Sequence, residues 1–145
     1  MKTVLFLCTG NYYRSRLAEF YFNHLAQEHQ AQWRATSRGL RITGSNVGPL
    51  SAHTRAWLAE NGINPTEPHR MPIPVLEADF WSADHIVAVK EAEHRSMMEQ
   101  YFPHWADRVD YWHVHDLDAA LPDQALPGLI AQVDDLFTRL TGSNP

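Results

Sequence analysis

The stretch VLFLCTGNYYRSRLAEF (residues 4–20) decides the fold and carries the most informative chemistry of the chain. An apolar run rich in β-forming residues, at 3–8, predicts a buried strand. From Ser15 to about His29, apolar residues recur at helical spacing and predict a helix. The chain's one cysteine, Cys8, stands at the end of the strand, and a short loop separates it from the helix.

The rest of the chain continues this alternation. Further strands are predicted at 33–39, 84–89 and 108–114, and helices at 50–62, 75–83, 91–102 and 123–140. The proline-rich segment 64–74 predicts a surface loop. This pattern predicts a single α/β domain over residues 1–145, with a four-stranded parallel sheet covered by helices on both faces, hence three layers. Ligands of such sheets bind beyond the carboxyl ends of the strands, which is where residues 8–15 fall.

Composition narrows the function classes. The chain has 145 residues, 44% of them apolar and 20% charged, as in an ordinary globular domain. A formal net charge of −5 argues against nucleic acid or anionic lipid as partners. One cysteine excludes an internal disulfide and a thiolate-rich zinc site. The apolar run near the N-terminus is too short for a signal peptide or a membrane span. We therefore expect a reducing, cytoplasmic setting.

The loop CTGNYYRS (residues 8–15) has the chemistry of an anion cradle around a thiol. Only the thiolate of Cys8 is a good nucleophile, and inward-pointing backbone N–H groups, the helix N-terminus and the charge of Arg14 all favour it. Arg14 also offers a planar fork for two phosphoryl oxygens. Ser15 can donate a hydrogen bond to the sulfur. Gly10 allows close backbone approach, and Asn11 tolerates a positive φ.

Plainer interpretations exist for these features. A lone cysteine after an apolar strand is usually a buried small hydrophobe, and a cysteine six positions before an arginine often occurs by chance. The added Gly-Asn pair, the serine after the arginine and the strand–helix context favour a catalytic loop.

His113 and His115 alternate in HVHDLD (residues 113–118), but nothing completes a metal site, so neither a metal nor a cofactor is expected.

The loop CTGNYYRS (residues 8–15) resembles the phosphate loop of the low-molecular-weight protein tyrosine phosphatase family. Weaker likeness extends along the chain. It is carried by TSRG (36–39), NVGP (46–49), LAENGI (58–63), ADHIVAVKEAEH (83–94) and WHVHDLD (112–118). The resemblance implies a sheet with strand order 2-1-3-4, flanked by helices, with the phosphate loop after strand 1.

The resemblance also implies roles for individual residues. Cys8 would attack phosphorus and form a cysteinyl-phosphate. Arg14 and the backbone amides of Thr9, Gly10, Asn11, Tyr12, Tyr13 and Arg14 would bind the phosphoryl oxygens. Ser15 would assist departure of the thiolate. Asp116 would protonate the leaving oxygen and later act as base for water, with Asp118 as its nearby rival.

This chain departs from the family at three positions. The family usually has Asp-Pro followed by an aromatic residue, whereas Leu117 and Asp118 follow Asp116 here. Tyr12 and Tyr13 are then candidates for the missing aromatic wall. Many members carry a second cysteine where Tyr13 stands, so a protective disulfide is impossible here. Lys90 stands where the third strand often ends near an aspartate.

Three function classes follow. The first is a phosphomonoester hydrolase acting on aryl phosphates, above all protein phosphotyrosine, with inorganic phosphate as product or inhibitor. The second is an arsenate reductase, which would need an external thiol because the chain has no further cysteine. The third is a non-catalytic phosphate-binding module. Whether Asp116 or Asp118 can reach the loop discriminates between catalysis and binding. A monomer is expected in each case.

Overall fold

The computed structural model describes residues 1–65, 67–113 and 122–145, the side chains of 122–125 excepted. The strands described are β1 (Lys2–Cys8), β2 (Trp33–Gly39), β3 (His85–Ala88) and β4 (Asp110–Tyr111). The α-helices are α1 (Arg14–Glu28), α2 (Ala52–Glu60), α3 (Glu77–Ser82), α4 (Glu91–Tyr101) and α5 (Pro122–Thr141). No helix in the described ranges is long and apolar enough to cross a membrane.

The four strands form one parallel sheet in the order β2-β1-β3-β4, which confirms the predicted class and order. β1 lies inside the sheet, and its residues 4–7 are fully buried. The sequence of β1 is a continuous apolar run because a central parallel strand is covered on both faces. Pairing of Cys8 with Gly39 places the end of β2 beside the start of the phosphate loop.

Two cores lie on opposite faces of the sheet. Because side chains alternate along a strand, Val4, Phe6 and Cys8 belong to one core, which α1 and α5 cover. Leu5 and Leu7 belong to the other, which is covered by α3 and α4. The domain therefore has the three layers that the sequence predicts.

Several boundaries differ from the predictions. β4 begins later than predicted because Ala106–Arg108 form a 3₁₀ turn before it. It ends at Tyr111, and residue 114, where the prediction ended, lies outside the described residues. Val75 precedes α3 rather than opening it, since its N–H bonds to Gly39 O at 2.9 Å in extended backbone. Pro127 lies inside α5, which begins at Pro122. Pro127 is the sixth residue of α5 and lies beyond the four N–H groups that lack intrahelical partners at a helix start, so its missing N–H removes one hydrogen bond of the helix.

Candidate active site

The phosphate loop joins β1 to α1 and turns its carbonyl groups away from the cavity. The carbonyls of Cys8 and Thr9 accept from the N–H groups of Leu40 and Arg41, both at 2.9 Å. Those of Tyr12 and Tyr13 accept from Ser51 N at 3.1 Å and Leu17 N at 3.0 Å. Within the described ranges, the N–H groups of residues 9–13 donate to no backbone carbonyl. The loop therefore has the form of an anion nest at a helix N-terminus.

Cys8 lies at the base of this nest. Its side chain is buried, and its Sγ is 2.9 Å from Ser15 Oγ. Ser15 is also fully buried and stands in the first turn of α1. The sulfur, the serine hydroxyl and the positive end of the helix therefore lie together, as the sequence suggests.

Asn11 holds the loop in shape. Its φ of 49° lies in the left-handed region, as the sequence suggests. Its side chain is fully buried, and Nδ2 donates to Ser15 Oγ at 3.0 Å and to Ser37 Oγ at 2.9 Å. Its Oδ1 accepts from Arg70 Nη1 at 3.1 Å and from Ile73 N at 3.0 Å. The described residues of 64–74 form a surface loop, as predicted, and this loop also braces the phosphate loop.

A partly buried charged cluster supports Arg70. Glu19 Oε1 accepts from Ser37 Oγ at 2.7 Å and pairs with Arg70 Nη2 at 3.5 Å and Arg16 Nη1 at 3.3 Å. Burial raises the pKa of Glu19, and the two arginines and Ser37 oppose that rise. The cluster thus connects α1, β2 and the 64–74 segment behind the loop.

Arg14 is oriented by a carboxylate from α4. Its Nη1 and Nη2 donate to the two oxygens of Glu93 at 3.3 and 3.4 Å, a two-point arrangement. Burial would raise the pKa of Glu93, but the Thr9 hydroxyl and the charge of Arg14 outweigh it and lower that pKa to about 2. Glu93 is therefore ionised at neutral pH. Lys90 is the residue that precedes α4, and Glu93 supplies its carboxylate three residues later.

His94 completes the contact between α4 and the loop. It is fully buried, and its Nδ1 accepts from Lys90 N at 3.2 Å. This assigns the proton to Nε2, which lies 3.2 Å from Thr9 Oγ1. The Thr9 hydroxyl in turn donates to Glu93. Sequence reasoning missed Glu93 and His94; the signal was their place in the first turn after β3, at the carboxyl edge of the sheet.

The remaining loop residues line a cavity of about 290 Å³ that opens over Cys8 and Arg14. Tyr12 and Tyr13 both line it, and Tyr12 Oη donates to Val47 O at 2.6 Å. A Cβ on Gly10 would come within 3.1 Å of Asn46 Nδ2 on the opposite rim. A larger concavity of about 340 Å³ beside α1 contains neither Cys8 nor Arg14. Asp116 and Asp118 lie outside the described residues.

These elements define a class: a parallel α/β domain with a cysteine at the base of an anion-binding loop and an arginine at its side. The family model described as low molecular weight phosphotyrosine protein phosphatase matches residues 3–126. The chain therefore belongs to that family, and it is a hydrolase of this phosphatase type.

Solved structures share the fold at low sequence identity. A YwlE mutant from Bacillus subtilis superposes with a TM-score of 0.79 at 23% identity, covering 97% of this chain and 99% of that one. A low molecular weight protein tyrosine phosphatase from T. tengcongensis gives 0.75 at 23% identity, with 97% of each chain covered. The YwlE arginine phosphatase from Geobacillus stearothermophilus gives 0.74 at 22%, covering 97% and 93%. No curated protein sequence matches the chain significantly.

Proposed function

We propose that the protein is a protein tyrosine phosphatase that uses Cys8 as its nucleophile. The observation that carries this proposal is the placement of Cys8 Sγ against Ser15 Oγ at 2.9 Å, at the base of the cavity that Arg14 also lines. A phosphoryl group in the nest would meet the sulfur on one side and the guanidinium fork on another. That arrangement suits in-line attack on phosphorus.

The proposed reaction has two steps. The Cys8 thiolate attacks phosphorus, the P–O bond to tyrosine breaks, and Asp116 gives its proton to the leaving phenolate oxygen. Water deprotonated by the Asp116 carboxylate then attacks the cysteinyl-phosphate, and the S–P bond breaks to release inorganic phosphate. Arg14 and the loop amides hold the equatorial oxygens in both steps. Ser15 donates its hydroxyl proton in a hydrogen bond to the departing sulfur.

Phosphotyrosine is favoured over phosphoarginine by the cavity lining. Tyr12 and Tyr13 present aromatic rings to a bound phenyl group. The cations Arg14 and Arg41 line the same cavity, and they would repel the guanidinium of phosphoarginine. Two of the solved structures that share this fold are nevertheless of the YwlE arginine phosphatase, so both substrates need testing. A reducing, cytoplasmic setting suits a nucleophilic thiol in a chain with no other cysteine.

The nucleophile is tested with nitrophenyl phosphate, a phosphotyrosine peptide and a phosphoarginine peptide. Cys8→Ser should lose more than about 10⁴-fold in rate on every substrate that the wild type turns over, because a hydroxyl is a far weaker nucleophile than a thiolate. It should still bind inorganic phosphate, measured by calorimetry. Turnover near the wild-type rate in this variant rejects the mechanism. If the wild type binds phosphate but turns over no substrate, the protein is the non-catalytic phosphate-binding module. If it reduces arsenate in the presence of an added thiol, it is the arsenate reductase.

The general acid is tested with the matched pair Asp116→Asn and Asp118→Asn. Loss of a general acid costs about 10²–10⁴ in rate, and most where the leaving group is poor. Asp116→Asn should therefore slow phosphotyrosine hydrolysis more than nitrophenyl phosphate hydrolysis, whereas Asp118→Asn should do little. The reverse pattern would transfer the role to Asp118. If neither variant slows the phosphotyrosine reaction, no aspartate in this pair is the acid.

A further inference from the structure

Arg41 places a second cation at the rim of the phosphate-loop cavity. Its backbone N–H donates to Thr9 O at 2.9 Å, so it stands beside the first loop residue after Cys8. Its exposed side chain lines the same cavity as Cys8 and Arg14. A group bound next to a phosphoryl in the nest would therefore meet the Arg41 guanidinium.

A neutral partner holds this guanidinium. Nε and Nη2 donate to Tyr101 Oη at 3.0 and 2.7 Å, and the guanidinium carbon lies 5.5 Å from the centroid of the Tyr101 ring. None of the ion pairs formed within the described ranges involves Arg41. Arg14, by contrast, is paired with Glu93. Arg41 is thus oriented by Tyr101, and no carboxylate among the described residues neutralises it.

The described residues of the rim beside Arg41 are polar and uncharged. Thr43, Ser45 and Asn46 line it, and the Thr43 and Ser45 hydroxyls lie 2.9 Å apart. In the hydrogen bonds described for Arg41, Nη1 takes no part, so it remains available as a donor to a ligand. An oriented cation with an available donor and hydroxyl neighbours suits a carboxylate.

We propose that Arg41 forms a subsite for an acidic side chain adjacent to the phosphorylated tyrosine of a substrate protein. The inference rests on the proposed function and adds a sequence preference to it. The formal net charge of −5 repels acidic peptides at long range. A preference for an acidic residue beside the phosphotyrosine would therefore come from a local contact, and Arg41 is a cation of the cavity rim that is placed to make it.

The test compares phosphotyrosine peptides that differ at one residue. Each carries a single Glu at position −2, −1, +1 or +2 from the phosphotyrosine, and a matched peptide has Gln at every one of these positions. In the wild type, Glu at one position should raise kcat/KM about two- to fivefold, the range of an exposed ion pair. The gain should shrink as salt is added. In Arg41→Gln the ratio of Glu to Gln peptide should fall to about one.

Arg34→Gln is the matched control. Arg34 is also exposed, and it lies in β2 near the end of the strand that is farther from Arg41, where its Nε donates to Thr3 Oγ1 at 3.3 Å. This variant should keep the wild-type ratio. Equal kcat/KM for all peptides in the wild type, or an unchanged ratio in Arg41→Gln, overturns the subsite and leaves the phosphatase proposal standing. A wild type that turns over none of the phosphotyrosine peptides overturns the proposed function, and the subsite with it.

Discussion

Replacing Asn11 should damage the phosphate loop through its side chain rather than through its backbone conformation. The buried amide makes four hydrogen bonds, to Ser15, Ser37, Arg70 and Ile73. Its φ of 49° is a second reason for asparagine at this position. The variants Asn11→Gly and Asn11→Ala separate the two, because both lose the amide but only alanine is strained at this φ.

The expected magnitude follows from those bonds. Each buried hydrogen bond contributes about 1 kcal/mol net, so Asn11→Gly should lower the free energy of unfolding by about 4 kcal/mol. Asn11→Ala should lose about 1 kcal/mol more through backbone strain. For a chain of this size, 4 kcal/mol corresponds to a Tm lower by roughly 8–16 °C. Because the loop amides would no longer be fixed, kcat should fall by up to about 10²-fold.

Urea unfolding followed by tryptophan fluorescence measures the stability, and nitrophenyl phosphate turnover measures kcat. Asn144→Gly serves as the control, since Asn144 is exposed near the C-terminus, far along the chain from the loop, and should match the wild type. The reasoning is refuted if Asn11→Gly stays within about 1 kcal/mol of the wild type and keeps its kcat. That result would mean that the loop needs only the positive φ.

Two further predictions concern neighbours of the nucleophile. The pKa of Glu93 is about 2 in the folded protein against 4.5 as its reference, so its stabilising effect is present above pH 4.5 and is lost as the pH falls towards 2. Urea unfolding measured from pH 4.5 down to pH 2 should show that the free energy of unfolding falls by about 2 kcal/mol more in the wild type than in Glu93→Gln. If this free energy depends on pH in the same way in both proteins, the Arg14–Glu93 contact is contradicted. Ser15→Ala should slow cysteinyl-phosphate breakdown, so stopped-flow should show a burst of nitrophenolate before the steady state. Absence of a burst, with a wild-type kcat, would mean that Ser15 does not assist the sulfur.

The local framework of the site could be predicted from the sequence. The apolar run ending at Cys8, the spacing to Arg14 and the helical pattern after it placed a thiol at the carboxyl end of a buried strand. These are signals within one short stretch, where residue type and backbone preference act directly. The positive φ of Asn11 and the contact of Ser15 with the sulfur agree with the same local reasoning. The roles of Cys8, Arg14 and Asp116 in catalysis remain proposals.

Only the tertiary structure decided which distant residues support the loop. Glu93 and His94 on α4, Ser37 on β2 and Arg70 in the proline-rich segment stand far apart along the chain, and so does Arg41 at the cavity rim. Arg41, Glu93 and His94 reach the loop because β2 and β3 flank β1 in a parallel sheet, so the segments that follow the three strands emerge at one edge. The segment that carries Arg70 follows α2, and the hydrogen bond from Gly39 N to Ile73 O at 2.8 Å holds it at this edge. The sequence alone does not indicate which distant residue a charged or hydroxyl side chain will contact. The order of the strands, which depends on long-range packing, determines which partners come within hydrogen-bond distance.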